Sequence, residues 1–525
     1  MDMEPSLRER RSLSLLKKGK KGIFQAVFSR TGLVTILLLM NFCLTAVLFW
    51  RFYEYLPHFY GSSILLAAVM VLVVLNGRHD PSARVTWLII VMCSPVFGSV
   101  LYFYVRGDVG HRQLKKRIRE SVFATRTLIA QDPEVLDAFE RVAPGAAGLA
   151  RYLRRSDYFT ACANTEAVYF PSGESMFDRL LEELEQAKDF IFLEYFIVEE
   201  GKMWGQILAR KAAQGVDVRV MYDGFCEFVL LPRDYPQRLR RLGIACRVFS
   251  PVTPFVSTHY NYRDHRKIAV IDGHTAFTGG VNLADEYINE KPRFGHWKDT
   301  GLMVKGDAAR GFSLMFLQMW NIEEANPVYQ KFLDRPMPPV KENGGFVIPY
   351  WDCPLDNRKV AQQVYLDILN RARRYVHIMT PYLILDGEME NALKFAAERG
   401  VDVRLILPGI PDKKMPYALA KTHYASLLDS GVRIYEYTPG FVHAKSFVCD
   451  DTEAVVGTIN LDYRSLYHHF ECAAYLCGAE CIADIEADYL ATEAKCRRVT
   501  RETVKMEKLS VKLMGCLLKL IAPLL

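Results

Sequence analysis

A chain of 525 residues is too long for one domain and long enough for two cores with appendages. Its formal net charge of +6 is modest, which excludes a uniformly basic nucleic-acid binder and shifts attention to where the charge lies. Twelve cysteines without a CxxC pair exclude a disulfide framework and fit reduced thiols buried as small hydrophobes, a pattern of the cytoplasm.

The first stretch is basic: Arg8, Arg10, Arg11, Lys17, Lys18, Lys20 and Lys21 precede an apolar run from Leu33 to Trp50. No small-residue cleavage pattern follows and further apolar runs do, so an uncleaved membrane anchor is expected rather than a secretory signal. The second run, Tyr60 to Leu75, is short for a span, and the third, Val85 to Val105, is interrupted by Pro95 and Gly98. A second basic cluster (Arg106, Arg112, Lys115, Lys116, Arg117, Arg119) then conflicts with the first if all three runs cross. Either one run re-enters, bending at Pro95 and Gly98, or the second cluster lies outside. The expectation is a multi-pass region over residues 31–106 and a cytoplasmic catalytic region.

From Arg151 the composition turns globular and an internal repeat appears. MFDRLLEELEQA then DFIFLEYFIV reads as helix then strand, and VAQQVYLDILNRA then YVHIMTPYLI repeats it. GVDVR recurs at Gly215 to Arg219 and Gly400 to Arg404, each time between an amphipathic helix and an apolar strand, as in a crossover unit. RRLGIACRVFSP and LLDSGVRIYEYTPG add a further helix, glycine and strand to each half. Two α/β domains packed as a pseudo-twofold pair are expected, over 151–340 and 341–500. Pro336, Pro338, Pro339, Gly344 and Gly345 mark the boundary, a basic linker over 107–150 precedes the pair, and an amphipathic tail over 501–525 follows it.

Each half carries the same spaced set, H-x-K-x4-D-x6-G-x2-N. It is His265, Lys267, Asp272, Gly279 or Gly280, and Asn282 in the first, and His443, Lys445, Asp450, Gly457 and Asn460 in the second. On a strand the His and Lys two apart project from one face. Such a surface suits a phosphodiester. One His can attack phosphorus covalently and the other can pass protons between leaving and incoming oxygens. Lys267, Lys445, Asn282 and Asn460 are expected to hold the non-bridging oxygens, the work a metal does elsewhere. No metal or other cofactor is therefore expected, and Cys477 and Cys481 lack partners at zinc spacing. Asp272 and Asp450 complete the motifs and count among the catalytic candidates. Each also ends a strand before a turn, as IDG and CDD, where Asp is favoured for bonding the local backbone.

HRKIAVIDG with FTGGVNLADEY, and YEYTPGFVHAKSFVCDD with VVGTINLDYRSLYHHFE, resemble the phospholipase D superfamily and, within it, the bacterial cardiolipin synthases. The resemblance extends over Tyr152 to Leu525 and the apolar N-terminus. It departs at YDGFCEF, Tyr222 to Phe228, where family members more usually carry a YDD-type turn. It implies two phospholipase D-like α/β domains behind an all-α membrane-anchoring region in the bacterial cell membrane. It also implies transfer between two phosphatidylglycerols to give cardiolipin and glycerol, with His265 as nucleophile and His443 as acid and base. Asp299 in HWKDTGLMV and Glu471 in HHFECAAYL match acidic positions that orient the imidazoles, with Glu286 a competitor in the first half.

The rival readings are a membrane-tethered phospholipase D or nuclease with water as acceptor, and a non-enzymatic scaffold, which the intact pair of motifs disfavours. A nuclease needs a basic groove with interleaved aromatics. In both halves Lys and Arg are largely offset by Asp and Glu, so anionic membrane lipids are the expected partners and nucleic acid is not. The tail sets Leu509, Leu513, Leu517 and Leu520 on one helical face with Lys505, Lys508, Lys512 and Lys519 around it, which reads either as packing on the catalytic domain or as an interfacial helix.

Overall fold

The computed structural model describes residues 56–77, 81–107 and 112–524, apart from 200–201, 233, 252–261, 339, 342–344 and 357, with fragments between 36 and 47. The basic start and most of the first apolar run lie outside the described residues.

The helical region forms a unit with its own small core. The helix Leu56–Leu75 packs on the helices Pro81–Cys93 and Pro95–Gly107 through Met70, Val74, Trp87, Ile90, Val91, Leu101 and Tyr102. The third apolar run is therefore not one span. Pro95 ends the first of its helices, and Gly98 packs so closely that a Cβ there would stand 2.8 Å from the Ile90 carbonyl oxygen. Among the described residues no helix is long and apolar enough to cross a membrane, so the expected multi-pass arrangement has no support there.

The catalytic unit contains two sheets built to one plan. The first half supplies β1 (Thr165–Phe170), β2 (Phe190–Tyr195), β3 (Asp217–Asp223), β4 (Ala245–Phe249), β5 (Arg263–Asp264), β6 (Lys267–Ile271), β7 (Thr275–Gly279), β8 (His296–Lys298) and β9 (Gly301–Gly306). The second supplies β10 (Phe346–Asp352), β11 (Tyr375–Met379), β12 (Asp402–Pro408), β13 (Arg433–Tyr437), β14 (Gly440–Val442), β15 (Ser446–Cys449), β16 (Glu453–Gly457), β17 (His469–Cys477) and β18 (Cys496–Arg498). The strand orders are β1-β9-β7-β6-β2-β3-β4 and β10-β17-β16-β15-β11-β12-β13, the same path walked twice, with β18 added at the second edge. In each, the three strands joined by helices pair in parallel and the rest antiparallel, so the repeat read in the sequence is a repeat of topology.

Alternation explains why these strands are apolar throughout. Phe190, Phe192, Ile268 and Val270 face a core shared by both halves, while Ile191, Leu193, Ala269 and Ile271 face the first half's own helices. Arg266, with the parity of Ile268, also points into the shared core. It is fully buried, with its guanidinium paired with Glu194 and Asp264 and lying over Trp351 and Phe470 of the second half.

Asp272 and Asp450 end β6 and β15 at the opposite end from the lysines. Five residues of strand put each roughly 16 Å from its Lys. Both adopt a left-handed turn conformation, at φ 52° and 53°. The Asp272 carboxylate accepts from the backbone N–H groups of Lys188, Asp189 and Phe190, each at 2.8 Å. The Asp450 carboxylate accepts likewise from Arg373, Arg374 and Tyr375. Each clamps the entry to a neighbouring strand and is not brought to the His and Lys of its motif, which corrects their place among the catalytic candidates. Asp272→Ala is expected to cost about 3 kcal/mol of stability, from three charge-assisted bonds, and to leave turnover per folded molecule intact. Urea unfolding beside an activity assay checks this, and a fully stable but inactive variant would return the carboxylate to the chemistry.

Candidate active site

Two short parallel pairings across the halves build the site. In one, β5 lies on β17 with Asp264 opposite Phe470, and the His265 N–H donates to the Phe470 carbonyl at 2.9 Å. The next residue on β17 is Glu471, so it stands beside the His265 ring. In the other, β14 lies on β8 with Val442 opposite Lys298, and the His443 N–H donates to the Lys298 carbonyl at 2.7 Å. The next residue there is Asp299. Each imidazole thus meets a carboxylate from the other half, a pairing that sequence proximity to the motifs did not indicate. Glu286, the competitor, is occupied with Arg293 at 2.6 Å.

His265 Nδ1 lies 2.9 Å from both Glu471 oxygens, and His443 Nδ1 lies 2.7 Å from Asp299 Oδ2. A carboxylate can only accept, so Nδ1 carries the proton in each ring and Nε2 keeps its lone pair. The carboxylates are positioned within their own halves. Asp299 accepts from the Trp297 indole N–H at 3.2 Å and the Thr300 N–H at 2.9 Å. Gly280 makes room for it, since a Cβ there would sit 1.8 Å from Asp299 Oδ1. Glu471 instead accepts from the Thr458 hydroxyl, and His469 takes the place of Trp297, with Nδ1 at 3.7 Å from Glu471 Oε1 and its ring centroid 5.4 Å from that of His265. His469 was not singled out by its sequence context, and only the β5–β17 pairing shows where it lies.

The electrostatics follow from burial of four basic groups together. His443 is pushed down to about 4 by burial and then by Lys445, against the pull of Asp299. His265 is held well below the usual imidazole value by burial, then by Lys267, Lys445 and His443, so both motifs act on one site. Burial lowers Lys267 to about 8, against Glu471, and Lys445 to about 7, against Asp299 and with Lys267 adding to the effect. Asp299 stays below the usual carboxylate value: burial works against it, and the His443 ring, the Lys445 charge and the Thr300 N–H together outweigh that. At neutral pH both rings are neutral, and the lysines are poised to gain protons when an anion arrives. Lys267 Nζ meanwhile donates to the His265 carbonyl at 2.7 Å, and Lys445 Nζ to that of His443.

Asn282 is spent on the protein in this arrangement, and Asn460 only in part. Asn282 Oδ1 accepts from the Ile197 N–H at 3.0 Å, and its side chain also bonds the Tyr287 hydroxyl. Asn460 turns its amide N–H to Asp462 at 3.3 Å and leaves Oδ1 buried without a partner, an acceptor suited to a hydroxyl. The YDG departure is also explained. Asp223 accepts from the Phe225 and Asp264 N–H groups at 2.8 and 3.0 Å and pairs with Arg263, holding the strand that leads to His265. A side chain on Gly224 would meet Pro251 Cα and Ser250 O at 2.6 Å.

Among the described residues one group has spacing that could hold a metal ion, His265, His469 and Glu471, with ligand atoms within 4.8 Å of one another. A cation there would displace the Nδ1–H bond that orients His265 and would lie in the field of Lys267 and Lys445, so the donor set fits poorly.

Comparison with known proteins agrees with this geometry. Residues 180–306 and 365–491 each match the family described as cardiolipin synthase, PLD-like domain. Residues 65–107 match phospholipase D-nuclease N-terminal. An uncharacterized protein of Streptococcus mutans is 53% identical over 458 residues, 87% of this chain and 99% of the relative. A cardiolipin synthase of Geobacillus sp. (strain WCH70) is 32% identical over 475 residues, 89% of this chain and 94% of the relative. The crystal structure of a phosphatidylserine synthase of Haemophilus influenzae shares the fold, with a TM-score of 0.55 and 15% identity, covering 72% of this chain and 97% of that one. Two α/β halves of this type around a doubled His–Lys site place the chain in the phospholipase D superfamily, and the family match makes it a phosphatidyltransferase. Within it, the chain belongs to the cardiolipin synthase family.

Proposed function

We propose that this enzyme joins two phosphatidylglycerols into cardiolipin and releases glycerol at the membrane. The observation that carries the reading is the pair of neutral imidazoles, each oriented by a carboxylate of the other half, with two lysines whose charges act on both rings. His265 Nε2 attacks the phosphorus of the first lipid and the bond to its headgroup glycerol oxygen breaks. His443, whose Nδ1–H stays on Asp299, takes up a proton from solvent at Nε2 as charge builds on that oxygen and passes it on, and glycerol leaves a phosphatidyl-histidine. A hydroxyl of the second lipid's headgroup then passes its proton to His443 and attacks phosphorus, freeing His265. Lys267 and Lys445 hold the non-bridging oxygens, with Asn282 and Asn460 beside them. Membrane attachment is supported by the apolar exterior of the helical unit, where Ile64, Leu65, Leu72 and Met92 are exposed, and a cytoplasmic catalytic unit by its free cysteines.

Mass spectrometry of products from purified protein given only phosphatidylglycerol tests the reaction. Cardiolipin and glycerol in equal amounts are expected. Phosphatidic acid as the sole lipid product would make water the acceptor and the enzyme a phospholipase D. Turnover is expected to survive EDTA, because the lysines supply the charge stabilisation. A sustained loss restored by a divalent ion would contradict that.

The site's proton affinities give a further expected result. A phosphate anion raises the proton affinity of every basic group around it. At pH 8 Lys445, at about 7, is mostly neutral and Lys267, at about 8, is half protonated. Binding a non-reactive phosphodiester lipid analogue should therefore take up about one proton at pH 8 and progressively less toward pH 6. Calorimetry in buffers of different ionisation enthalpy reads the uptake directly. Proton release, or none at pH 8, would overturn the assignment of the lysines to the phosphate.

A further inference from the structure

The helix Leu509–Lys519 lies on the helix Lys414–Asp429 of the catalytic unit by one face only. Gly515 and Leu518 are buried there, and a Cβ on Gly515 would meet the Ala418 carbonyl oxygen at 2.5 Å, so the glycine lets the helices cross in close contact. Lys421 and Glu507 add an ion pair at 3.6 Å. The face turned away from the protein is not polar. Leu509, Leu513 and Leu517 recur every fourth residue and are 70%, 56% and 68% exposed, with exposed Cys516 among them. Lys508, Lys512 and Lys519 border that stripe along one side, and from Lys508 to Leu525 there is no acidic residue. A continuous apolar face on a helix with only basic residues at its edge marks a surface meant to be covered. The supporting helix begins one residue after Lys413, whose ammonium donates to the Tyr382 hydroxyl at 2.9 Å and whose charge acts on His265.

We propose that the outward face of this helix is an in-plane docking surface for an anionic bilayer, its leucines entering the headgroup region and its lysines meeting lipid phosphates. The proposal rests on the reading of the substrate as a membrane lipid. Charge decides the occupant: a basic border repels the basic start of this same chain, and repels the same border on a second copy, but matches an anionic leaflet. Docking here holds the loop that borders the site against the leaflet, so a two-chain lipid can enter without leaving the membrane.

The test uses the full chain with Cys43→Ser and Cys93→Ser, a fluorophore on Cys516, reconstituted in vesicles of phosphatidylglycerol and phosphatidylcholine or of phosphatidylcholine alone. Quenching by nitroxide lipids labelled near the headgroup, with protection from iodide, is expected in the anionic vesicles and roughly tenfold weaker in the neutral ones. The triple variant Leu509→Gln, Leu513→Gln, Leu517→Gln is expected to lose that quenching and about tenfold of its vesicle activity, while keeping activity in mixed micelles. Iodide access in both vesicles, or protection from both quenchers as under a second copy or another segment of the chain, would overturn the proposal. Equal quenching in neutral vesicles would overturn it as well. Insertion with no cardiolipin formed would instead sink the proposed reaction and leave the surface standing.

Discussion

His265→Ala and His443→Ala are each expected to lower cardiolipin formation by about 10⁴-fold or more, with the fold retained. In the proposed reaction neither half-site can do both jobs, because one ring stays bonded to phosphorus while the other moves protons. The rings also differ in what their loss does to the intermediate. In His443→Ala the first attack proceeds slowly without a proton donor, and resolution without a base is slower still, so labelled phosphatidylglycerol should leave covalent label on His265. In His265→Ala no label should form. Label on His443 in the latter variant, and never on His265 in the former, would exchange the two roles. Near-normal turnover by either folded variant would end the shared-site reading altogether.

The crossed carboxylates give the second large effect. Glu471→Gln and Asp299→Asn are each expected to cost roughly 10²- to 10⁴-fold in turnover, since an amide can offer its N–H to Nδ1 and hold the ring in the wrong tautomer. The crossing makes the two losses distinguishable. Glu471, in the second half, serves His265, so Glu471→Gln should suppress formation of the labelled intermediate in a His443→Ala background. Asp299, in the first half, serves His443, so Asp299→Asn should lower turnover in the intact enzyme but scarcely alter labelling once His443 is gone. The reverse pattern would mean that each acid acts within its own half.

His469 adds an asymmetry to this pair. It stands where Trp297 stands in the other half, and burial pushes it down to about 3, against the pull of the nearby Glu471 carboxylate, so it is neutral. The two half-sites therefore orient their carboxylates with different donors, an indole N–H and a threonine hydroxyl, although the motifs are nearly identical.

Much of this was legible in the sequence because its signals are local. The recurrence of GVDVR after an amphipathic helix, and the apolar strands that follow, determine two equivalent α/β halves, since crossover units repeat in topology when they repeat in pattern. The two H-x-K spacings likewise determine that each His and Lys share a strand face. The IDG and CDD turns indicated that Asp272 and Asp450 bind backbone, but as a local bond; the backbone they hold is instead the start of the neighbouring strand, 82 to 84 residues away for Asp272 and 75 to 77 for Asp450, which only the sheet pairing decides. In the third apolar run, Pro95 and Gly98 signalled a break, and the structure decided between a bend within one span and two short packed helices.

What only the tertiary structure decided depends on residues far apart in the chain. Which carboxylate meets which imidazole is set by the β5–β17 and β14–β8 pairings, 206 residues apart for His265 and Glu471 and 144 for His443 and Asp299. The same contacts place His469 beside Glu471 and turn Arg266 into the core between the halves. The depressed proton affinities of the two histidines and two lysines have the same origin. Each group is ordinary in its own strand, and its value falls because folding takes all four out of water into one another's field.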